Sequence, residues 1–199
     1  MLEAVLFDLD GVLVDSKEAW FLAVAEAGQR FRGRPVTRAE FDPTFGQGTE
    51  ADIPLFGFRC TTAQLDRFYE EAFVRNLAAV HVDASAKKVL GELRQRGLKL
   101  AVVTNSVAVV AHATLRHAGV FELFDSLATA DRVPSSKPAP DLPLLALHEL
   151  KVDASRALFV GDSRFDREAA AAAKVRFCGL RLGGAPDRIE RLAEVLERV

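Results

Sequence analysis

Four short stretches of this 199-residue chain gather the side chains that could do chemistry. In the first, Phe7-Asp8-Leu9-Asp10-Gly11, two aspartates stand two residues apart. On an extended backbone that spacing turns both carboxylates to one side, where they repel each other unless a cation sits between them. Magnesium accepts such sparse carboxylate sites and completes its shell with water and phosphate oxygens. Gly11 permits a sharp turn that brings backbone amides near a phosphate. The second stretch, Val102-Val103-Thr104-Asn105-Ser106, offers a hydroxyl and a side-chain amide able to hold phosphoryl oxygens. The third, Ser136-Lys137-Pro138-Ala139-Pro140-Asp141, sets one ammonium in a proline-stiffened segment, where it can neutralise charge that builds up in a transition state. The fourth, Phe159-Val160-Gly161-Asp162-Ser163-Arg164-Phe165-Asp166, adds two more carboxylates. Taken singly, each stretch also reads as an ordinary polar loop. Their compatible chemistry, repeated at successive strand ends, argues for one shared site.

The elements that must position these residues are short apolar runs alternating with helical patterns. Leu2–Leu9, Leu98–Val103, Ser126–Thr129, Arg156–Val160 and Arg176–Leu180 read as buried strands. Between them, Ala84–Arg96, Val107–Ala118, Leu142–Leu150 and Asp166–Ala173 read as helices, with Gly97 and Gly119 closing two of them. This alternation predicts an α/β fold, a Rossmann-like sheet of five parallel strands covered by helices on both faces. Asp8, Thr104 and Asp162 would then lie at the carboxyl ends of three neighbouring strands, where such sheets bind ligands. A terminal helix carrying Ile189, Leu192, Val195 and Leu196 on its apolar side is expected to cover the sheet.

Residues 16–82 break the alternation and read as an inserted helical cap, which leaves 1–15 and 83–199 as the catalytic core. Thr37-Arg38-Ala39-Glu40 and Thr61-Thr62-Ala63-Gln64 both fit a capping box. Trp20, Phe21, Val24 and Phe31, then Leu65, Phe68, Tyr69 and Phe73, recur at helical spacing and are expected to form the core of the insert. Phe45-Gly46-Gln47-Gly48-Thr49 reads as a turn; Gln47 and Thr49, with Arg59, are the candidate substrate contacts from this region.

In this order the motifs resemble the haloacid dehalogenase superfamily, over nearly the whole chain. Asp8-Leu9-Asp10-Gly11-Val12-Leu13-Val14-Asp15-Ser16 is similar to its first motif, Thr104-Asn105 to its second, Lys137 to its third and Gly161–Asp166 to its fourth. The branch it resembles is that of phosphoglycolate phosphatase and beta-phosphoglucomutase. The resemblance implies that Asp8 attacks phosphorus, and that Asp10 protonates the leaving oxygen and later activates water. It further implies Mg²⁺ held by the Asp8 carboxylate, the Asp10 backbone carbonyl and the Asp162 carboxylate. Thr104 and Lys137, with Gly11 and Asn105, would bind the phosphate, and Asp166 would support the lysine. An acid at position 10 argues for phosphate-ester chemistry, because dehalogenases of the superfamily lack it and its cation pumps carry threonine there. Trp20 stands where the superfamily's sugar-phosphate mutases carry a histidine, which favours a phosphatase. A phosphomutase, and a non-catalytic phosphate-sensing or scaffold protein, remain the alternatives. Where the superfamily usually ends the helix after the fourth motif in Ala-Gly, this chain has Ala173-Lys174.

Composition sets the outer bounds. A chain 49% hydrophobic and 27% charged can bury a sizeable core, and a net charge of −2 supplies no field that would attract nucleic acid or an anionic membrane. Cys60 and Cys178 lack partners at disulfide or zinc spacing, and His81, His112, His117 and His148 show no ligand pairing. Arg164 is ambiguous between solvent and site. Without a basic leader or a stretch long enough to cross a bilayer, the expectation is a cytoplasmic monomer or dimer acting on a small phosphorylated metabolite.

Overall fold

Ala4-Val5-Leu6-Phe7 is a run without a polar side chain, and in the computed structural model it forms the central strand β1 (Ala4–Phe7), wholly buried. Burial of the larger side chains here contributes roughly 1.5–3 kcal/mol each, which favours placing the most apolar strand at the centre. The structure describes residues 1–45 and 49–199. The strand β1 pairs in parallel with β2 (Lys99–Val103) on one side and with β4 (Ala157–Gly161) on the other. Outside them lie β3 (Ser126–Ala128), β5 (Arg176–Leu180) and β6 (Arg188–Ile189), all parallel to their neighbours, so the sheet runs β3-β2-β1-β4-β5-β6.

The chain divides into two units, residues 1–15 with 82–199, and residues 16–81. The first unit holds the sheet and the helices α5 (Ala86–Gln95), α6 (Ala108–His117), α7 (Asp141–Leu150) and α8 (Arg164–Ala172). Its core interleaves Ala4, Leu6, Val103 and Phe159 from the sheet with Leu142, Ala146 and Ala170 from α7 and α8. Gly97 and Gly119 follow α5 and α6 with φ of 81° and 66°, the left-handed geometry in which a helix stops. Lys151 and Lys174 adopt the same geometry after α7 and α8 without being glycine.

The second unit is built from α1 (Lys17–Arg32), α2 (Arg38–Phe41), α3 (Thr49–Phe56) and α4 (Thr62–Arg75). Both predicted capping boxes form: Thr37 with Glu40 opens α2, and Thr61 with Gln64 opens α4. The aromatic residues make the core of this unit, where Trp20 packs on Phe73 at 4.6 Å and Phe31 meets Phe68 at 5.3 Å between ring centres.

Three expectations are corrected. The sheet has a sixth strand, β6, and Ile189 belongs to it. The residues that follow form a 3₁₀ helix, Leu192–Glu197, in place of an α-helix. Leu192 and Val195 are buried three residues apart, the repeat of a 3₁₀ turn, whose side chains eclipse at i and i+3. Thr49, read as part of a turn, is the first residue of α3. Gln47 lies outside the described residues.

Candidate active site

The hydrogen-bond ladder of the sheet carries the candidate residues to its carboxyl edge. Beyond β1, the Asp8 N–H donates to Val160 O at 3.0 Å; beyond β2, the Thr104 N–H donates to Ala128 O at 3.0 Å. Asp162 follows directly on β4. The neighbouring strands β2, β1 and β4 therefore present Thr104, Asp8 and Asp162 side by side. All the residues of this site belong to the first unit.

Lys137 is the charge centre. Its Nζ lies 2.7 Å from Asp8 Oδ1 and 2.7 Å from Asp166 Oδ1, and donates to Val103 O at 3.0 Å. All three side chains are buried. Burial alone would lower the lysine pKa, but the charges of Asp8 and Asp166 overcome it and raise it, so the group stays an ammonium. The backbone of Lys137 is clamped in turn: the Asn105 Nδ2 donates to Lys137 O at 3.0 Å and Asn105 Oδ1 accepts from Lys137 N at 2.9 Å. Both ends of the Asn105 amide are thus spent on the lysine loop, which explains why an amide is needed beside Thr104.

Asp166 has both oxygens engaged. One accepts from Lys137; the other accepts from the Ser163 N–H at 3.0 Å and its hydroxyl at 2.5 Å, while Asp166 N donates back to Ser163 Oγ. Ser163 and Asp166 form the capping box of α8, so the helix start and the support of the lysine are one structure. An added Cβ at Gly161 would stand 2.4 Å from the Asp166 Cβ, which makes glycine obligatory at the end of β4.

The carboxylates of Asp8, Asp162 and Asp166 each offer an oxygen within 4.8 Å of the others. Burial first, then the charge of Asp166, raises Asp8 well above the usual carboxylate range. The same two causes, in the same order, push Asp162 up to about 6. Carboxylates crowded this far above their ordinary range are short of positive charge, and an all-oxygen donor set suits a hard divalent cation. The residues therefore fit a metal: Asp8 and Asp162 are available to it, whereas Asp166 is tied to Lys137 and Ser163.

Asp10 is half-buried and its Oδ2 accepts from the Ser106 hydroxyl at 3.2 Å. Ser106 N donates to Thr104 Oγ1 at 3.0 Å, so a single turn after β2 orients both groups. Gly11 has φ of 81°, and a Cβ there would fall 1.9 Å from Asp162 Oδ2. Its N–H donates to Val14 O at 2.7 Å, so this amide is engaged within the turn. The requirement for glycine is the close approach to Asp162. Ser106, Gly161 and Ser163 were not singled out from sequence; only Ser163 carried a signal, the Ser-x-x-Asp spacing of a helix start.

Other candidates lie elsewhere. Arg164 is exposed and stacks on Phe165 at 4.8 Å. Trp20 is held among Tyr69 and Phe73 in the core of the second unit. Arg59, in that same unit, lines a groove of about 440 Å³ with Arg30, Phe31, Arg32, Gly33 and Gln64. The four histidines take no part in the carboxylate cluster. Among the described residues no helix is long and apolar enough to cross a membrane.

Comparison with known proteins gives the arrangement its context. The family model described as haloacid dehalogenase-like hydrolase matches residues 5–180. The chain is 30% identical over 192 residues to N-acetylmuramic acid 6-phosphate phosphatase of Pseudomonas aeruginosa, covering 92% of this chain and 83% of that protein. It is 31% identical over 182 residues to phosphoglycolate phosphatase of Cereibacter sphaeroides, covering 87% and 82%. Among solved structures, CbbY from Rhodobacter sphaeroides in complex with phosphate superimposes with a TM-score of 0.86 at 28% identity, covering 98% of this chain and 96% of that one.

Proposed function

Because the chain belongs to the haloacid dehalogenase-like hydrolase family, we propose that it is a magnesium-dependent phosphatase that hydrolyses a small phosphorylated metabolite through an aspartyl phosphate on Asp8. The observation that carries this reading is the Lys137 ammonium, buried between Asp8 and Asp166 at 2.7 Å from each, beside a cluster of carboxylates at the carboxyl edge of the sheet. The names of the phosphatase relatives support a phosphate monoester as the substrate class.

Mg²⁺ would be held by the carboxylates of Asp8 and Asp162 and the backbone carbonyl of Asp10, and would supply positive charge to the phosphoryl oxygens. The protein's own residues do the rest. An oxygen of Asp8 attacks phosphorus, forming the oxygen–phosphorus bond of an acyl phosphate as the bond to the leaving oxygen breaks. Asp10, its carboxyl oriented by Ser106, gives its proton to that oxygen. The resulting Asp10 carboxylate then takes a proton from water as the water attacks phosphorus and frees Asp8. Lys137 neutralises charge on the transferring group, and the Thr104 hydroxyl donates to it. Asn105 acts through the Lys137 backbone, and Gly11 through the shape of the turn. Free Cys60 and Cys178 suit a reducing cytoplasm, and a monomer or dimer suffices because the site draws on one chain.

A panel of phosphorylated sugars, sugar acids and hydroxy acids, scored for released phosphate with Mg²⁺, tests the proposal. At least one monoester should turn over, and EDTA should abolish the turnover until Mg²⁺ is restored. Full activity in chelator, or conversion of a sugar phosphate to its isomer with no phosphate released, would contradict it.

A further inference from the structure

Among the described residues, three other than glycine hold a left-handed backbone: Lys151 at φ 56°, Lys174 at φ 58° and Arg181 at φ 56°. Lys151 and Lys174 each follow a helix and end it, an ordinary use of that geometry. Arg181 ends no helix. It is the residue directly after β5, on the same carboxyl edge of the sheet as Asp8 and Asp162. A strained backbone that no local structure requires is a pointer to function.

Arg181 is fixed at its backbone and reaches the first motif with its side chain. Its N–H donates to Ile189 O at 2.8 Å, and the preceding Leu180 pairs with Ile189 in β6; both are buried. From this rigid edge the guanidinium Nη2 donates to Gly11 O at 2.8 Å. The Gly11 peptide is therefore gripped on both sides, by Val14 through its N–H and by Arg181 through its carbonyl. Between those grips Gly11 lies so close to Asp162 that no Cβ fits. Any drift of the turn changes the spacing between the Asp10 segment and Asp162, and small displacements of reacting groups are costly.

We propose that Arg181 is a positioning residue that braces the turn Asp10–Val14 against Asp162, the strained backbone being the means by which its guanidinium points back at Gly11. A charged donor strengthens the bond to the carbonyl, and the planar fork of arginine holds direction better than the single ammonium of lysine. The catalytic consequence rests on the phosphatase reading above; the structural one does not.

Three variants test it: Arg181→Gly, Arg181→Asn and Arg181→Lys. Glycine and asparagine tolerate the left-handed backbone, so both variants should melt at or above the wild-type temperature. In metal-free protein, amide exchange at Gly11, Leu13 and Val14 should accelerate while the strands keep their protection. With p-nitrophenyl phosphate and saturating Mg²⁺, kcat should fall roughly tenfold with KM within about twofold, and Arg181→Lys should recover part of the loss. Unchanged exchange at the turn, or an unchanged kcat, would overturn the proposal, and so would a general loss of protection with a lowered melting temperature. If the wild type releases phosphate from no ester, the phosphatase reading fails by itself, and exchange at the turn still decides the brace.

Discussion

The least replaceable residue of the site carries no side chain. Gly11 combines φ of 81° with a position where a Cβ would stand 1.9 Å from Asp162 Oδ2, so both backbone and packing demand glycine. Gly11→Ala must therefore displace the Asp162 carboxylate. Its kcat/KM is expected to drop by at least about a hundredfold, as for a misplaced reacting group, while circular dichroism stays that of the wild type; activity within a few-fold of wild type would refute this. The side chains proposed to react stand at motif spacings, and the structure brings Asp8, Lys137 and Asp162 together as those spacings suggested. Their supports were not legible in the sequence. Ser106 holds Asp10 and Arg181 holds Gly11 across 96 and 170 residues of chain, separations that no local pattern encodes.

At the scale of elements, the alternation of apolar runs and helical patterns located β1 to β5 and α5 to α8 to within about two residues, the ordinary uncertainty of element ends. The chain end was misread because β6 is only two residues long, too short to show a period, and because apolar residues three apart suit a 3₁₀ turn as well as an α-helix. The departure at Ala173-Lys174 has its structural counterpart: Lys174 holds φ of 58° where glycine carries no penalty. The side chain is exposed and its loss removes little packing. Lys174→Gly is accordingly expected to stabilise the protein by roughly 0.5–1 kcal/mol, measured by urea unfolding, with kcat unchanged. A destabilised Lys174→Gly would mean that the side chain contributes contacts that outweigh the strain.

At the scale of the whole molecule, the break in the alternation was read over residues 16–82 from helical spacing without a convincing buried strand, and the structure's second unit spans 16–81; the partners inside that unit were not legible. Asp52, buried in α3, accepts from the Tyr69 hydroxyl at 2.8 Å. Burial raises its carboxyl pKa, and the Tyr69 hydrogen bond only partly offsets this. A carboxyl raised on folding binds its proton more readily in the folded state, so stability grows as pH falls through the folded value and is lost as pH rises above it. Asp52→Asn keeps an acceptor for Tyr69 and removes the buried charge. Its melting temperature should exceed the wild-type value at pH 8 and converge with it towards pH 4; a constant difference would exclude the titration of Asp52 as the cause. The central claim joins all three scales: a sheet edge presents one nucleophile and one proton carrier in a single turn, and they do different jobs. Rapid quench with substrate labelled at phosphorus tests it most directly in Asp8→Asn and Asp10→Asn. With a good leaving group such as p-nitrophenolate, which needs little protonation, Asp10→Asn should form the labelled protein and release it slowly, while Asp8→Asn should never acquire label. Label retained by Asp8→Asn and absent from Asp10→Asn would contradict the account.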